Sequence, residues 1–585
     1  MLDSSDLGGQ GGLVVRPRKV RSANTTHLLT AVVLVVLSTH AQTNRPATTE
    51  QKSIPVAASG SQGSVDLVTE AEAFYRQGHL DEAAQRYQQV LQVQPKSAGA
   101  YAGLTRVFLK QKKVQQARDT ISKGLAVVDS APMRVALGEV LFREGKLTEA
   151  ESEWLSVVNS GHTDARAHLG LARVSKAATE YKQAKAEIDK ARALDPSDPD
   201  IELNWISFLR PSEQVLYLEN YLSHESGASA EEQAHLRNHL ELLKARLKDS
   251  THSCHLVSEL TSTGTDLLRV TGERPNQIRG YSLAVALNGQ NSKLQLDTGA
   301  SGILIDRKIA QKAGLTKLSD TTIRGFGDRG ESAGYFAMAN SIQIGDLEFR
   351  DCPVVVLDKR SVLGEDGLIG TDVFQEFLID LDFRDKKLRL GKLPKRPGED
   401  LGKVSLQTDA GKTDPLEAES TTDATATTIN PTTVPPYLSL TKRFVPAEFF
   451  TSFTPVFRFG HALLIPTEVA DIQAMRLFEI DTGSVKTILS VNVAREITKL
   501  HANPRMAYKG LSGSVNDVYG IERTNLRFDH VQLYAENQIA IDLANLSEST
   551  GTEVSGVLGV FAFTNTDVTI DYRDGLVSFD YKSNP

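Results

Sequence analysis

The sequence carries the tripeptide Asp-Thr-Gly twice, at 297–299 and at 481–483, each time at the end of an apolar run. In each half a short apolar segment ending in glycine follows at nearly the same distance. From Asp297 to Gly370 is 73 positions, and from Asp481 to Gly559 is 78. Because order and spacing both repeat, the two segments are internal duplicates. A chain built this way has to fold as two similar domains.

The sequence around both tripeptides predicts β structure. From about residue 265, short runs of alternating β-branched residues are separated by Gly-rich turns, which is typical of strands. Residues 396–435 are rich in Thr, Pro and Ala and lack large apolar side chains, so we interpret them as a linker. The flanking segments, 265–395 and 436–583, each have the size of a small β domain.

A helical repeat is predicted before the β region. Four segments share one pattern, marked by an alanine at steps of 34, 33 and 34 residues. These alanines are Ala83, Ala117, Ala150 and Ala184. The period and the small contact residues resemble tetratricopeptide repeats, and helical sequence continues to about residue 248. We therefore predict an all-α repeat over 65–248, which is either a spacer or a concave surface that binds a peptide or protein partner.

Each duplicated half resembles a lobe of the aspartic proteases, closest to the retroviral (retropepsin-like) type. That family pairs an Asp-Thr/Ser-Gly loop with a later apolar-apolar-Gly segment. Here the later segments are Leu368-Ile369-Gly370 and Val557-Leu558-Gly559. The resemblance covers about 265–392 and 438–582. It implies a multidomain chain, with the helical repeat followed by two all-β protease lobes.

Two carboxylates explain why the tripeptide is needed twice. Hydrolysis of a peptide bond needs a base that activates water and an acid that protonates the carbonyl or the leaving amine. Two carboxyl groups held close together share one proton and supply both functions. Asp297 and Asp481 are therefore predicted to face one water, with no metal or cofactor. As a coupled pair, neither can be named the base from the sequence.

The resemblance also assigns supporting roles. The threonines of the tripeptides would hydrogen-bond across the interface between the lobes, the tripeptide glycines would let backbone approach the carboxylates, and the later glycines would pack beneath the loops. These residues are Thr298, Thr482, Gly299, Gly483, Gly370 and Gly559.

The residue that directly follows the tripeptide differs between the halves: it is Ala300 in the first and Ser484 in the second. A hydroxyl at this place can donate to the carboxylate and lower its pKa. We expect Ser484 to do so, whereas Ala300 cannot. A shared proton should then persist to higher pH than in a pair with two such donors.

Two Gly-rich hairpins are candidates for a flap over the cleft, at 324–339 and at 508–522. The sequence does not decide which one covers substrate. Tyr335 and Tyr519 either line the cleft or hold their hairpins together.

The N-terminus predicts export. Basic residues precede the apolar run 28–37, and small residues follow it near 39–41, which is the order of a secretory signal peptide over 1–41. A flexible linker at 42–64 would follow, with no membrane span after cleavage. An exported chain is periplasmic or secreted, and there Cys254 and Cys352 can form a disulfide, although their pairing stays open. The His and Cys residues of "THSCHL" favour a surface loop over a metal site, since no second ligand pair lies nearby.

These observations predict an exported aspartic endopeptidase with a repeat module for substrate or partner binding. The net charge of -8 disfavours nucleic acid and anionic membranes as partners. The alternative is a non-catalytic envelope scaffold that binds peptides through the repeats and the protease-like lobes. No carboxylate or glycine motif of the chemistry lies in the repeats, so their removal is expected to leave hydrolysis of short peptides intact.

Overall fold

The computed structural model describes residues 13–15, 62–223, 228, 230–248, 254–272, 278–325, 331–357, 365–396, 437–446, 452–502, 508–510, 513–515 and 517–581. A helical region is followed by β-rich lobes, which confirms the predicted fold class. Most of the predicted signal peptide and most of both predicted linkers lie outside these ranges. Within them, no helix is both long and apolar enough to cross a membrane.

Eleven helices of the described region form the repeat, mostly as antiparallel pairs. They are α1 Gln62–Arg76, α2 Leu80–Val93, α3 Ala98–Lys110, α4 Val114–Leu125, α5 Ala131–Arg143, α6 Leu147–Asn159, α7 Ala165–Ala177, α8 Tyr181–Leu194, α9 Pro199–Ile206, α10 Pro211–Ser223 and α11 Ala230–Lys248. The four alanines that set the period lie on α2, α4, α6 and α8 and are fully buried. Each occupies the contact point of its pair, where a larger side chain would separate the helices.

Trp154 of α6 fills the space between two neighbouring helices. A Cβ atom added at Gly138 of α5 would lie 2.5 Å from the indole nitrogen, and one at Gly170 of α7 would lie 2.3 Å from the ring. The indole N–H donates to the carbonyl of Val135 at 3.2 Å. Glycine is therefore required on both sides for the indole to be buried without displacing a helix.

The first lobe places its tripeptide where two parallel strands meet. Its elements are β2 His255–Leu256, β3 Thr263–Asp266, β4 Leu268–Thr271, β5 Ile278–Leu287, β6 Gln290–Asp297, β7 Ile303–Asp306, α12 Arg307–Lys312, β8 Thr316–Arg324, β9 Glu331–Ile344, β10 Leu347–Leu357, β11 Gly367–Gly370, β12 Leu378–Asp382 and β13 Lys387–Gly391. The main sheet has the order β2-β10-β7-β11-β6-β5-β9-β8. Strands β6 and β11 run parallel, with Gly370 opposite Asp297.

The second lobe repeats this topology. Its elements are β14 Thr454–Pro455, β15 Phe457–Phe459, β16 Ala462–Val469, β17 Ala474–Ile480, β18 Ile488–Ser490, α13 Val491–Ile497, β19 His501–Ala502, β20 Tyr508–Gly510, β21 Gly513–Val515, β22 Tyr519–Phe528, β23 Val531–Ile541, α14 Ala544–Thr550, β24 Gly556–Leu558, β25 Thr566–Asp571 and β26 Leu576–Tyr581. The order β23-β18-β24-β17-β16-β22 matches β10-β7-β11-β6-β5-β9 strand for strand. A short strand at Leu13–Val15, β1, pairs with β23 at the sheet edge. The duplication seen in the sequence is thus a duplication of structure.

A third sheet joins the lobes. Its order is β14-β26-β25-β12-β13-β3, so three strands of the second lobe continue into three strands of the first in one hydrogen-bonded sheet. Strands β12 and β25 pair antiparallel, with Ile379 opposite Ile570. One hydrophobic core continues through both lobes. The lobes therefore form one body.

Cys254 and Cys352, whose pairing the sequence left open, form a disulfide. Cys254 directly precedes β2, and Cys352 lies in β10, 98 positions later. The bond fastens the start of the first lobe to its main sheet. Because Cys254 is used in this way, it is not available to a metal, and His252 lies outside the described residues.

The repeat packs against the second lobe, which the sequence did not predict. Phe142 of α5 lies in one buried cluster with Leu464, Leu477 and Val554. Its ring is 6.3 Å from that of Phe459. Removing the repeat would expose this apolar surface to water, so the predicted activity of a truncated chain on short peptides also depends on how the second lobe tolerates that exposure.

We predict that Gly170→Ala destabilises the helical region by about 1–3 kcal/mol, because the added methyl overpacks the site of Trp154. Gly99→Ala is the matched control, since its Cβ would meet its nearest neighbour at an ordinary 3.8 Å. The control should be neutral or stabilising, as alanine is the better helix former. Denaturant unfolding followed by tryptophan fluorescence reports this region, because Trp154 and Trp205 both lie in it. Equal losses in the two variants would contradict the packing account.

Candidate active site

The two tripeptide loops meet where the lobes face each other. Asp297 ends β6, and Asp481 directly follows β17. A Cβ atom added at Gly299 would lie 3.0 Å from the carboxyl carbon of Asp481 and 3.4 Å from Oδ1 of Asp297. One added at Gly483 would lie 2.4 Å from the carboxyl carbon of Asp297. Each loop therefore approaches the other lobe's carboxyl group as closely as glycine allows.

The threonines tie the loops together with four reciprocal hydrogen bonds. The Thr298 hydroxyl donates to the Ile480 carbonyl at 2.6 Å and accepts from the Thr482 backbone N–H at 2.9 Å. The Thr482 hydroxyl donates to the Leu296 carbonyl at 3.1 Å and accepts from the Thr298 backbone N–H at 3.1 Å. Both threonines are buried. Because each bond crosses between lobes, the position of one loop fixes that of the other.

Backbone N–H groups hold the carboxyl groups in place. The Gly299 N–H donates to Oδ1 of Asp297 at 2.9 Å. Oδ1 of Asp481 accepts from the N–H groups of Gly483 and Ser484, at 2.8 and 3.1 Å. Backbone donors favour the charged form of both carboxyl groups, since the Gly483 N–H also lowers the pKa of Asp297.

The pair is suited to share one proton. Burial raises the pKa of Asp297 well above its ordinary value, and the negative charge of Asp481 raises it further. Burial also raises the pKa of Asp481, while a hydrogen bond from Asp297 and the backbone donors act in the opposite direction. Both pKa values are therefore raised, so the pair holds one proton to higher pH than two separate carboxyl groups would.

Gly370 and Gly559 lie against the backbone of the loops. A Cβ atom at Gly370 would lie 2.3 Å from the carbonyl oxygen of Ala300, and one at Gly559 would lie 2.3 Å from that of Lys486. The structure therefore brings together all eight predicted site residues.

The Ser484 hydroxyl does not donate to the Asp481 carboxyl group, contrary to the expectation from the sequence. Its hydroxyl donates to the Lys486 carbonyl at 3.0 Å and lies 3.4 Å from the Tyr508 hydroxyl. Its backbone N–H, which any residue except proline could supply, donates to Asp481 instead. The contrast between Ala300 and Ser484 thus gives no reason to expect different pKa values.

His461 is a site residue that the sequence analysis missed. It lies in the turn between β15 and β16, and its Nε2 is 3.1 Å from the carbonyl of Gly299. Burial lowers the pKa of His461, so the neutral ring donates its Nε2 proton to this carbonyl. In the opposite direction, the Gln295 amide donates to the Gly483 carbonyl at 3.2 Å. Each loop is therefore held by a donor from the other lobe, although the two donors differ.

Glu479 places a third carboxyl group beside the pair. It lies two residues before Asp481, as Gln295 lies two before Asp297, and it is buried. Its Oε1 has no hydrogen-bond partner among the described residues. Burial raises the pKa of Glu479 well above its ordinary value, with the charges of Asp481 and Asp297 adding to the effect. Glu479 therefore holds its proton to higher pH than an ordinary glutamate. In the sequence, the signal for this residue is the single acid within the apolar run "LFEI".

The second-lobe hairpin brings Tyr508 to the site. Strands β20 and β21 pair there, with Tyr508 opposite Val515. Burial raises the pKa of the Tyr508 phenol, as do the charges of Asp481 and Asp297. Of the tyrosines proposed from sequence, Tyr335 lies under the cations of Arg307 and Lys317, and Tyr519 starts β22. The hairpin at 508–522 thus contributes a residue at the carboxyl pair.

Comparisons with known proteins agree with this geometry. Residues 283–373 match a family model described as aspartyl protease, and residues 74–133 match a tetratricopeptide repeat model. The UBA domain-containing protein Mud1 of Schizosaccharomyces pombe is 31% identical over 108 residues, 18% of this chain; the match spans about a third (31%) of that relative's length. The resemblance to aspartic proteases preceded by tetratricopeptide repeats is confirmed.

Two solved structures show more distant likenesses. The aspartic proteinase from Irpex lacteus is 11% identical, with a TM-score of 0.31, over 55% of this chain and 98% of that one. Pseudomonas aeruginosa pilF is 20% identical, with a TM-score of 0.23, over 32% of this chain and 85% of that one.

We predict that Glu479→Gln stabilises the protein increasingly as the pH rises. The folded-state pKa of Glu479 is raised, so its contribution to stability is full below the unfolded value of about 4.3 and is lost as the pH rises towards and through the folded value. Glutamine does not ionise, so the variant does not lose stability from this position as the pH rises. The thermal midpoint of the variant relative to wild type should increase between pH 4 and pH 8, by about 1–2 °C for each kcal/mol regained in an unfolding unit of about 300 residues.

A constant difference in packing between Glu and Gln cancels in this comparison, because only the slope with pH is tested. Glu522→Gln, at an exposed position of β22, makes the same change in net charge and should show no such slope. A pH-independent difference for Glu479→Gln would contradict the assignment of a raised pKa.

Proposed function

We propose that this protein is an aspartic endopeptidase, with Asp297 and Asp481 as the catalytic pair and the repeat module as a binding site for substrate or partner. The observation that carries the proposal is the close approach of two carboxyl groups across the lobe interface, with Asp481 buried and Asp297 half-buried. The aspartyl protease and repeat matches support the same assignment at the level of family.

We assign the shared proton to Asp297, whose pKa burial raises well above its ordinary value, and the charge to Asp481. Asp481 accepts a proton from water as the water oxygen attacks the peptide carbonyl carbon, and Asp297 gives its proton to the carbonyl oxygen, so that no full negative charge develops there. Asp481 then gives its proton to the amine nitrogen and the C–N bond breaks. One hydroxyl of the intermediate returns a proton to Asp297 as the carbonyl re-forms, which leaves a carboxylic acid, an amine and the original pair. Thr298 and Thr482 keep the two groups at a fixed separation, which this exchange requires.

We also propose export of the chain. The disulfide between Cys254 and Cys352 supports this location, because such bonds persist in oxidising compartments and are rare in the cytosol. The basic-apolar-small order of the N-terminal sequence is consistent with it.

Asp297→Asn and Asp481→Asn should each lower peptidase activity by about a thousandfold or more, since neither half of a proton-sharing pair works alone. The test is incubation of the full chain with a mixed peptide library across pH, with and without an active-site inhibitor of aspartic proteases. Asp385→Asn, in the exposed turn between β12 and β13, is the control and should retain full activity. Absence of cleavage by a folded wild-type chain at every pH would favour the non-catalytic scaffold.

Activity should have a mildly acidic optimum and fall as the pH rises. Burial raises the pKa of both carboxyl groups, so the singly protonated pair persists above the ordinary range and is lost when the second proton leaves. Ala300→Ser should leave both limbs of the profile of kcat/KM against pH in place, since the corresponding Ser484 hydroxyl donates to a backbone carbonyl. A shift of the acidic limb to lower pH in this variant would show that a hydroxyl at position 300 does reach Asp297.

A further inference from the structure

A cavity of about 490 Å³ lies between the helical repeat and the second lobe. Helices α3, α5, α7 and α9 supply one wall, and the turn 458–460 and the residues 548–551 supply the other. We call it the inter-module cavity. Its volume is in the range of sites that bind small molecules or short peptide segments.

The charge of this cavity is unbalanced. Its described lining contains eight Lys or Arg residues and four Asp or Glu residues. The acids are already paired. Asp200 accepts from Lys110 at 2.8 Å, Glu139 from Arg166 at 3.3 Å, and Glu548 from Lys112 at 2.7 Å. Glu232 lies 3.8 Å from Lys110. The excess positive charge therefore belongs to the other cations.

Three of those cations are guanidinium groups that form no ion pair with a carboxylate among the described residues. Arg143 donates to the backbone carbonyl of Gly551 at 3.3 Å. Arg173 makes no hydrogen bond or ion pair with any described residue. Arg458 is held by neutral acceptors, among them the Gln375 amide oxygen at 2.8 Å. Burial lowers the pKa of Arg143, and so does the neighbouring charge of Arg173, while the more distant acids Asp200, Glu232 and Glu139 offset only part of this effect. Clustered, partly desolvated cations are unfavourable unless an anion joins them.

We propose that the inter-module cavity binds an acidic peptide segment, whose carboxylates pair with Arg143 and Arg173. A guanidinium group is well suited to carboxylates, which it can bind with two parallel hydrogen bonds. Phe142 and Phe459 add apolar walls, which suit a peptide chain. A compact polyphosphate would bring its dense charge against Glu139, Asp200 and Glu548, whereas a peptide spaces single charges with amides. The proposal rests on the proposed role of the repeat as a binding module and deepens it.

A peptide in this cavity would contact the turn that leads into the active site. Arg458, Phe459 and Gly460 line the cavity, and the next residue, His461, donates to the Gly299 carbonyl. The segment would therefore be held by the second lobe as well as by the repeat. An acidic stretch bound here would position the rest of a substrate beside the catalytic lobes.

The test is direct binding of a fluorescein-labelled peptide of alternating Glu and Gly to the full-length chain, followed by anisotropy. The Asp297→Asn variant is used for every measurement, so that cleavage does not enter and failure of the catalytic proposal is separately visible. The matched peptide of alternating Gln and Gly should bind at least about tenfold more weakly, the effect of losing one charged hydrogen bond of about 1.4 kcal/mol or more.

Arg143→Gln and Arg173→Gln should each weaken binding of the acidic peptide by about tenfold or more. Arg134→Gln is the matched control, because it lies on the same helix as Arg143, makes the same charge change and pairs outside the cavity with Asp129 and Glu153. It should leave the affinity unchanged. Arg173 is partly exposed, so its variant remains informative if Arg143→Gln lowers the thermal midpoint.

Equal binding of the Glu and Gln peptides would overturn the proposal, as would equal losses in Arg134→Gln and Arg173→Gln. Tighter binding of sodium tripolyphosphate than of the acidic peptide would overturn it in favour of a phosphate site. If the cavity variants lose peptide binding while the chain with intact Asp297 still cleaves short peptides normally, the inter-module site is supported independently of the chemistry.

Discussion

The reciprocal hydrogen bonds of Thr298 and Thr482 are the interaction on which the site depends. Each threonine is buried, and each bonds to backbone that belongs to the other lobe. The backbone groups concerned would otherwise be buried without a partner, which is expensive for an N–H or a carbonyl. Satisfying them sets the two loops at a close and fixed distance. The shared proton, the raised pKa values and the need for glycine at 299 and 483 all follow from that distance.

The framework is nearly symmetric, but the groups placed on it are not. Gln295 supports one loop, whereas the matching position holds the acid Glu479 and the supporting donor is His461. Within its own loop, Asp481 accepts from two N–H groups and Asp297 from one. The duplicated framework thus supplies the geometry, and the residues that differ between the halves give the two carboxyl groups different surroundings.

The parts predictable from sequence are those governed by spacing along the chain. The tripeptides, the later glycines and the 34-residue alanine period each fix a local contact, and the structure has them all in place. His461 could not be found, since it meets Gly299 across 162 positions and no motif marks it. The orientation of the Ser484 hydroxyl depended on a competing acceptor, the Lys486 carbonyl, that the pattern does not show. The packing of the repeat on the second lobe was likewise not predictable, because it depends on which apolar surfaces meet in the folded chain. Glu479, by contrast, was visible as an acid in an apolar run.

The ladder in which β12 pairs with β25 has a consequence for assembly. Lobes of this kind could in principle meet as separate molecules, and the population of complete sites would then rise and fall with protein concentration. Here three strands of each lobe join into one sheet at the β12–β25 pair, and the chain between the lobes makes their meeting intramolecular. Each molecule carries its own complete site at any dilution. A protein released into a large volume would therefore stay assembled without a partner copy.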